Sequence, residues 1–204
     1  MNNIEKAINE LKQGNFIIIK DNEVEEEADL TIAAKYLDEK KLIFLLKYTC
    51  GQVCVPMNKK DLNKLGLKSM INNGHSKKGR LCNFTVPVDS SDTKTGISAY
   101  DKNLTIKHLI SGKKNKLKIP GHTFPLITKE NGVLEREGHT EASLDLVKLA
   151  KITPEAAVIC ELMNRKTGKA MYGRDLEEFS NRYNIPIINI REIINHRREN
   201  EKNN

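Results

Sequence analysis

The spacing of apolar and polar positions divides the chain into short elements of two kinds. Ile4, Ala7, Ile8 and Leu11 recur at helical spacing, with Asn3 as a cap and Gly14 as a stop. FIIIK over 16–20 is an unbroken apolar run rich in β-branched residues, which predicts a buried strand. A further strand is expected over LTIAA (30–34), a helix over 38–48, a strand over VCVPM (53–57) ending near Pro56, and a short helix over 58–65 before Gly66. The stretch 68–82, with Asn72, Asn73, Gly74 and Gly79, reads as a long loop. FTVPV (84–88) is strand-like, 101–111 is helical, and the lysine-rich stretch after it reads as a loop. Two prolines keep IPGHTFPLI (119–127) from being a central strand throughout. An amphipathic helix over 140–151, a strand over 156–163, a helix over 174–183, a strand over 185–190 and a helix over 190–199 complete the pattern. The polar residues 199–204 are expected to fray.

This order is not a strict alternation of strand and helix, so a simple doubly wound sheet is not expected. The pattern predicts one α/β domain of the α+β type over 1–204, a mixed β-sheet surrounded by helices. No G-x-G-x-x-G or P-loop marks a nucleotide fold. No run approaches 18 apolar residues, and the first residues lack a signal peptide's apolar region. A cytoplasmic protein without a membrane partner is therefore expected. Its four cysteines, Cys50, Cys54, Cys82 and Cys160, do not form two close pairs at zinc-site spacing and should be reduced thiols. Cys54 and Cys160 lie in apolar runs and read as core; Cys50, beside Gly51, reads as more exposed. The net charge of +7 raises the question of nucleic acid. Yet the densest basic run, Lys113 to Lys118, has no aromatic residue for base stacking. Nucleic acid is not an expected partner.

Several segments carry candidate chemistry. DNEVEEEAD (21–29) places Asp21, Glu23, Glu25, Glu26, Glu27 and Asp29 directly after a strand. Carboxylates this dense repel one another unless a cation neutralises them. The stretch is either a solvated loop or part of a site for a hard cation such as Mg²⁺. In EREGHTEAS (135–143), Gly138 and His139 stand just before a helix for which Thr140 would be the N-cap. A helix start favours an anion, and Arg136 could add a bidentate contact. His139 is then a metal ligand, a general base, or a surface histidine. PGHTFPL (120–126) holds His122 in a turn, with or without a role. Glu161 ends an apolar strand; buried, it would have a raised pKa and could shuttle protons, and otherwise it points outward. TGISAYD (95–101) offers Thr95 and Ser98 around Gly96 as a weak phosphate-contacting signal.

Taken in order, the acidic loop, TGISAYD, PGHTFPL, GVLEREGHTEASLDLVKLA and ICELMN resemble the 3,4-dihydroxy-2-butanone 4-phosphate synthases of riboflavin biosynthesis. The resemblance spans roughly residues 3–198. It implies a lyase that converts D-ribulose 5-phosphate into a four-carbon phosphate and formate. It also implies Mg²⁺ or Mn²⁺ and a homodimer with sites at the interface; from the chain length, no fused GTP cyclohydrolase II domain is expected. Carried over residue by residue, it makes Glu25 and His139 metal ligands, with Asp29 in contact with substrate. Arg136, Glu137, Gly138, Thr140 and Thr95 would bind the substrate, largely through its phosphate. His122 and Glu161 would be catalytic, and Asp21, Glu27 and Asp29 would join them as acidic groups. Four positions depart from the family pattern. Val24 stands where Arg is usual, Glu26 where small or amide residues are usual, Ala28 where Gly is frequent, and Lys102 where Arg is usual. Weakened or shifted activity is the alternative that Val24 raises, and a basic nucleic-acid-binding protein is the non-catalytic one.

Overall fold

The computed structural model describes residues 2–21, 26–71 and 81–202. Its strands are β1 (Ile17–Lys20), β2 (Ala28–Ala33), β3 (Cys54–Met57), β4 (Val88–Ser90), β5 (Leu117–Ile127), β6 (Ala157–Glu161) and β7 (Ile187–Asn189). They form one sheet in the order β4-β5-β3-β6-β2-β1-β7. β1 runs parallel to β7 and β3 to β5, and the other neighbours are antiparallel, so the sheet is mixed as expected. The α-helices are α1 (Asn3–Lys12), α2 (Glu39–Tyr48), α3 (Lys59–Lys64), α4 (Ala99–Ile110), α5 (His139–Leu149), α6 (Gly173–Tyr183) and α7 (Ile190–Lys202).

The sheet is covered on both faces. Ile18, Leu30 and Ile32 pack with Leu42 and Leu45 of α2, Ile106 and Leu109 of α4, and Phe179 of α6. Ile17 and Ile19 pack on the opposite face with Ile4 and Leu11 of α1, Leu146 of α5 and Ile193 of α7. Successive strand residues alternate between these two cores, which is why β1 reads as an unbroken apolar run and not as an alternating one.

Some sequence expectations need correction. The cap of α1 is Asn2, not Asn3: its side chain accepts from the Glu5 N–H at 2.8 Å, while Glu5 accepts from the Asn2 N–H at 3.1 Å. The strand expected over 84–88 pairs regularly only from Val88; Phe84 and Thr85 make isolated bridges. β5 begins at Leu117, inside the stretch read as a lysine loop, after a short 3₁₀ turn over Lys114–Lys116. α7 continues to Lys202, past the expected onset of fraying. Of the two prolines of β5, Pro125 stays in register with Val55 of β3, and Pro120 is accommodated by a bulge. The pairing of β5 with β4 jumps from Val88↔Thr123 to Asp89↔Lys118, so residues 119–122 leave the ladder. Pro120 falls there, where its missing N–H costs no sheet bond.

Candidate active site

The N-terminus of α5 meets the ends of β2 and β6. Asp29 and Glu161 are directly opposed across these antiparallel strands. Opposed residues share a face, and this is the face that α5 covers. His139 opens α5 and is buried. These groups line a cavity of about 240 Å³ together with Asp21, Glu27, Arg136, Glu137, Gly138 and Thr140. Gln52, Phe84, Leu126, Ile159 and all four cysteines complete its wall.

His139 is the most constrained of these residues. Its Nδ1 lies 3.2 Å from Glu27 Oε1, and its Nε2 is buried with no hydrogen-bond partner among the described residues. A buried polar nitrogen without a partner is costly. Neutral imidazole bound at Nδ1 by a carboxylate, with Nε2 open, is the arrangement of a metal-ligating histidine. Burial opposes charge on His139, but Asp29 and then Glu27 outweigh it and lift its pKa above the usual value. Burial also pushes the Asp29 carboxyl up to about 7, against the pull of His139 and with help from Glu27 and Glu161. Asp29 can therefore hold or release a proton near neutrality.

The phosphate-binding expectation falls on the α5 start, with one correction. The N-cap is Gly138, in an extended conformation, and Thr140 makes no capping bond; its hydroxyl lies 3.5 Å from Cys82 Sγ. Helical backbone already begins at His139, so Thr140 cannot be the residue flanking the helix. Arg136 lies against Gly138, where a Cβ would stand 2.3 Å from its Nη1. Arg136 also donates to Glu141 at 2.5 Å, while its Nε is buried without a partner among the described residues. Glu141 is buried, and burial raises its pKa against the opposing effect of Arg136. The sequence reading did not single out Glu141, although it lies three residues after Gly138 in the same motif.

The remaining expected residues divide. Glu161 is half-buried at the strand end and not enclosed. Glu25, the expected partner of His139 for a metal, lies outside the described residues, as do Glu23 and Val24. Among the described residues no group of three His, Cys, Asp or Glu side chains is arranged for a metal ion. Ala28 lies in β2 and is not among the positive-φ residues; among the described residues of the stretch the positive φ falls at Glu26, at 49°. The Ala28 methyl therefore meets no backbone conflict. Cys54 and Cys160 are buried and Cys50 is exposed, as read from the sequence, yet all three face the cavity.

His122 and Thr95 do not line this cavity. His122 sits on the β5 bulge with its side chain 48% exposed, and its Nδ1 is 2.7 Å from Asp89 Oδ2. Thr95 precedes α4 and its hydroxyl donates to Asp101 at 3.3 Å. Ser98 is the cap of α4, accepting from the Asp101 N–H at 3.0 Å, which accounts for its place in TGISAYD. Buried Lys102 donates to the His122 carbonyl at 2.6 Å, a contact that needs one cation and no bidentate fork. Asp89 was not foreseen; its only sequence signal is a carboxylate closing the apolar run FTVPV.

Comparison with known proteins agrees with this geometry. The family model described as 3,4-dihydroxy-2-butanone 4-phosphate synthase matches residues 5–196. Riboflavin biosynthesis protein RibBA of Endomicrobium trichonymphae is 42% identical over 200 residues, covering 96% of this chain and 49% of that protein. 3,4-Dihydroxy-2-butanone 4-phosphate synthase of Wolinella succinogenes is 39% identical over 204 residues, covering 98% of this chain and 58% of that protein. The chain thus spans about half the length of these relatives. A crystal structure of 3,4-dihydroxy-2-butanone 4-phosphate synthase in complex with two magnesium ions superposes with a TM-score of 0.89 at 30% identity, covering 98% of this chain and 99% of that one. The Candida albicans synthase superposes with a TM-score of 0.85 at 36% identity, covering 95% and 96%. With a family model matched over nearly its whole length and its fold shared with solved members, the chain belongs to the 3,4-dihydroxy-2-butanone 4-phosphate synthase family.

Proposed function

We propose that this chain is a cytoplasmic carbon–carbon lyase that converts D-ribulose 5-phosphate into L-3,4-dihydroxy-2-butanone 4-phosphate and formate. The observation that carries the reading is the buried Nε2 of His139, which has no hydrogen-bond partner among the described residues, on a ring held at Nδ1 by Glu27 inside a carboxylate-lined cavity. Glu25 and His139 would hold Mg²⁺ or Mn²⁺, and a crystallised family member is in complex with two magnesium ions. When bound, the ion supplies Lewis acidity toward the substrate's oxygens.

The chain's own residues account for the rest. The α5 start, with Arg136, Glu137, Gly138 and Thr140, fixes the phosphate, since first-turn N–H groups have no partner within a helix. Anchoring that end orients a flexible sugar phosphate over the acid–base groups. Enediol formation, loss of hydroxyl, skeletal shift and release of formate each move protons. Asp29, Glu161, Glu27 and Asp21 surround the place where those transfers occur.

His122 and Thr95 complete the site from a second copy in a homodimer. They do not line the cavity of their own chain. Their two segments also carry the exposed apolar residues Ile97, Tyr100 and Ile119, which suit a protein contact. Incubation of purified protein with ribulose 5-phosphate and Mg²⁺ should release formate, and chelation should stop it. No formate at high protein concentration, with either Mg²⁺ or Mn²⁺, overturns the proposal.

A further inference from the structure

His122 is held more firmly than an exposed bulge requires. Asp89 accepts the His122 backbone N–H through Oδ1 at 2.9 Å and meets ring Nδ1 through Oδ2 at 2.7 Å. The Asp89 carboxylate is itself buried. The main chain closes around it: a Cβ on Gly96 would stand 2.0 Å from Oδ2, and one on Gly121 would stand 2.2 Å from the Asp89 nitrogen. Gly96 also has a φ of +77°, so the turn before α4 is shaped to admit this carboxylate. Lys102 adds a second hold on His122, donating to its carbonyl at 2.6 Å.

A carboxylate only accepts, so the ring nitrogen that faces it carries the proton. The other nitrogen, Nε2, is then left with its lone pair on the side of the ring away from Asp89. We propose that Asp89 is the positioning residue for His122. It fixes the imidazole in the Nδ1–H form, so that the β5 bulge presents Nε2 as a proton acceptor. This inference rests on the reading above that His122 is catalytic and completes the site; it adds an acid–base role and the group that sets the ring for it.

The test uses full-length protein with ¹⁵N-labelled histidine. Long-range ¹H–¹⁵N spectra in alkaline buffer report which ring nitrogen is protonated, and loss of one signal set in His122→Gln assigns His122. The wild-type ring should be protonated at Nδ1. In Asp89→Asn the amide can donate to Nδ1, so the Nε2–H form should appear. Turnover should then fall roughly 100-fold, the lower range for a lost acid–base group, while KM stays within about threefold. A merely structural Asp89 would lower the melting temperature without changing the ring form. Wild-type ring form and turnover in Asp89→Asn, beside an inactive His122→Gln, overturn the proposal alone. Wild-type turnover in His122→Gln overturns the reading on which it rests. If Asp89→Asn does not fold, the wild-type spectrum decides, and an Nε2–H ring there refutes the assignment.

Discussion

Two histidines in this molecule use the same device for different ends. His139 and His122 each meet a carboxylate at Nδ1, Glu27 at 3.2 Å and Asp89 at 2.7 Å. His139 is buried, its carboxylate is half-buried, and its Nε2 is buried with no partner among the described residues, on a ring that lines the cavity. His122 is half-exposed, its carboxylate is buried, and its Nε2 lies outside that cavity. The contrast shows that the carboxylate fixes a ring, while the surroundings decide what the free nitrogen meets. At His139 the partner must enter a polar cavity of the same chain, which suits a cation. At His122 the partner must come from outside, which suits a substrate bound by a second copy.

That contrast can be broken in graded steps. Removing the buried nitrogen should do most: His139→Ala should abolish formate release and Mg²⁺ binding by calorimetry, and retention of either contradicts the ligand assignment. His122→Gln should cost roughly 10²–10⁴ in turnover while leaving Mg²⁺ affinity unchanged, because it would remove proton transfer and not metal. Equal loss of metal affinity in both variants would erase the distinction. Glu27→Gln should weaken Mg²⁺ affinity by about 10–100-fold, the usual effect of losing the group that orients a ligating histidine. Unchanged affinity means that another group orients the ring.

The smallest effect is on stability and needs no substrate. The Asp29 pKa is raised by burial from 3.8 to about 7. Between those values the unfolded chain has released a proton that the folded chain retains. The metal-free protein should therefore lose stability as pH rises through that window. His139, also raised, adds a loss in the same direction beyond its ordinary value of 6.5. Thermal melts across the window should show Asp29→Asn with a shallower fall than wild type. Parallel curves would mean that Asp29 ionises normally in the fold.

Much of this architecture was legible in residue pattern, and the exceptions have physical causes. α1, β1 and α6 follow from local periodicity because each lays one apolar stripe, or two apolar faces, against the core. β5 did not, because its strand character comes from pairing with β3 and β4, and its first residues continue a lysine-rich stretch. The extent of α7 was missed because its last residues, Asn200 to Lys202, carry no apolar position from which local pattern could read a helix. In the site, His139, Asp29 and Arg136 were legible because each sits in a compact motif. Asp89 was not, since its partner lies 33 positions away and only the β4–β5 pairing brings them together.

The proposed complete site takes the His139 cavity from one copy and His122 from another. Mixing His122→Gln and His139→Ala proteins under conditions of subunit exchange tests it directly. Each mixed dimer would hold one site with both histidines intact, so activity should return to about a quarter of wild type from two inactive parents. No recovery, with mixed dimers demonstrated by mass spectrometry, would place both histidines in a site of one chain and contradict the account.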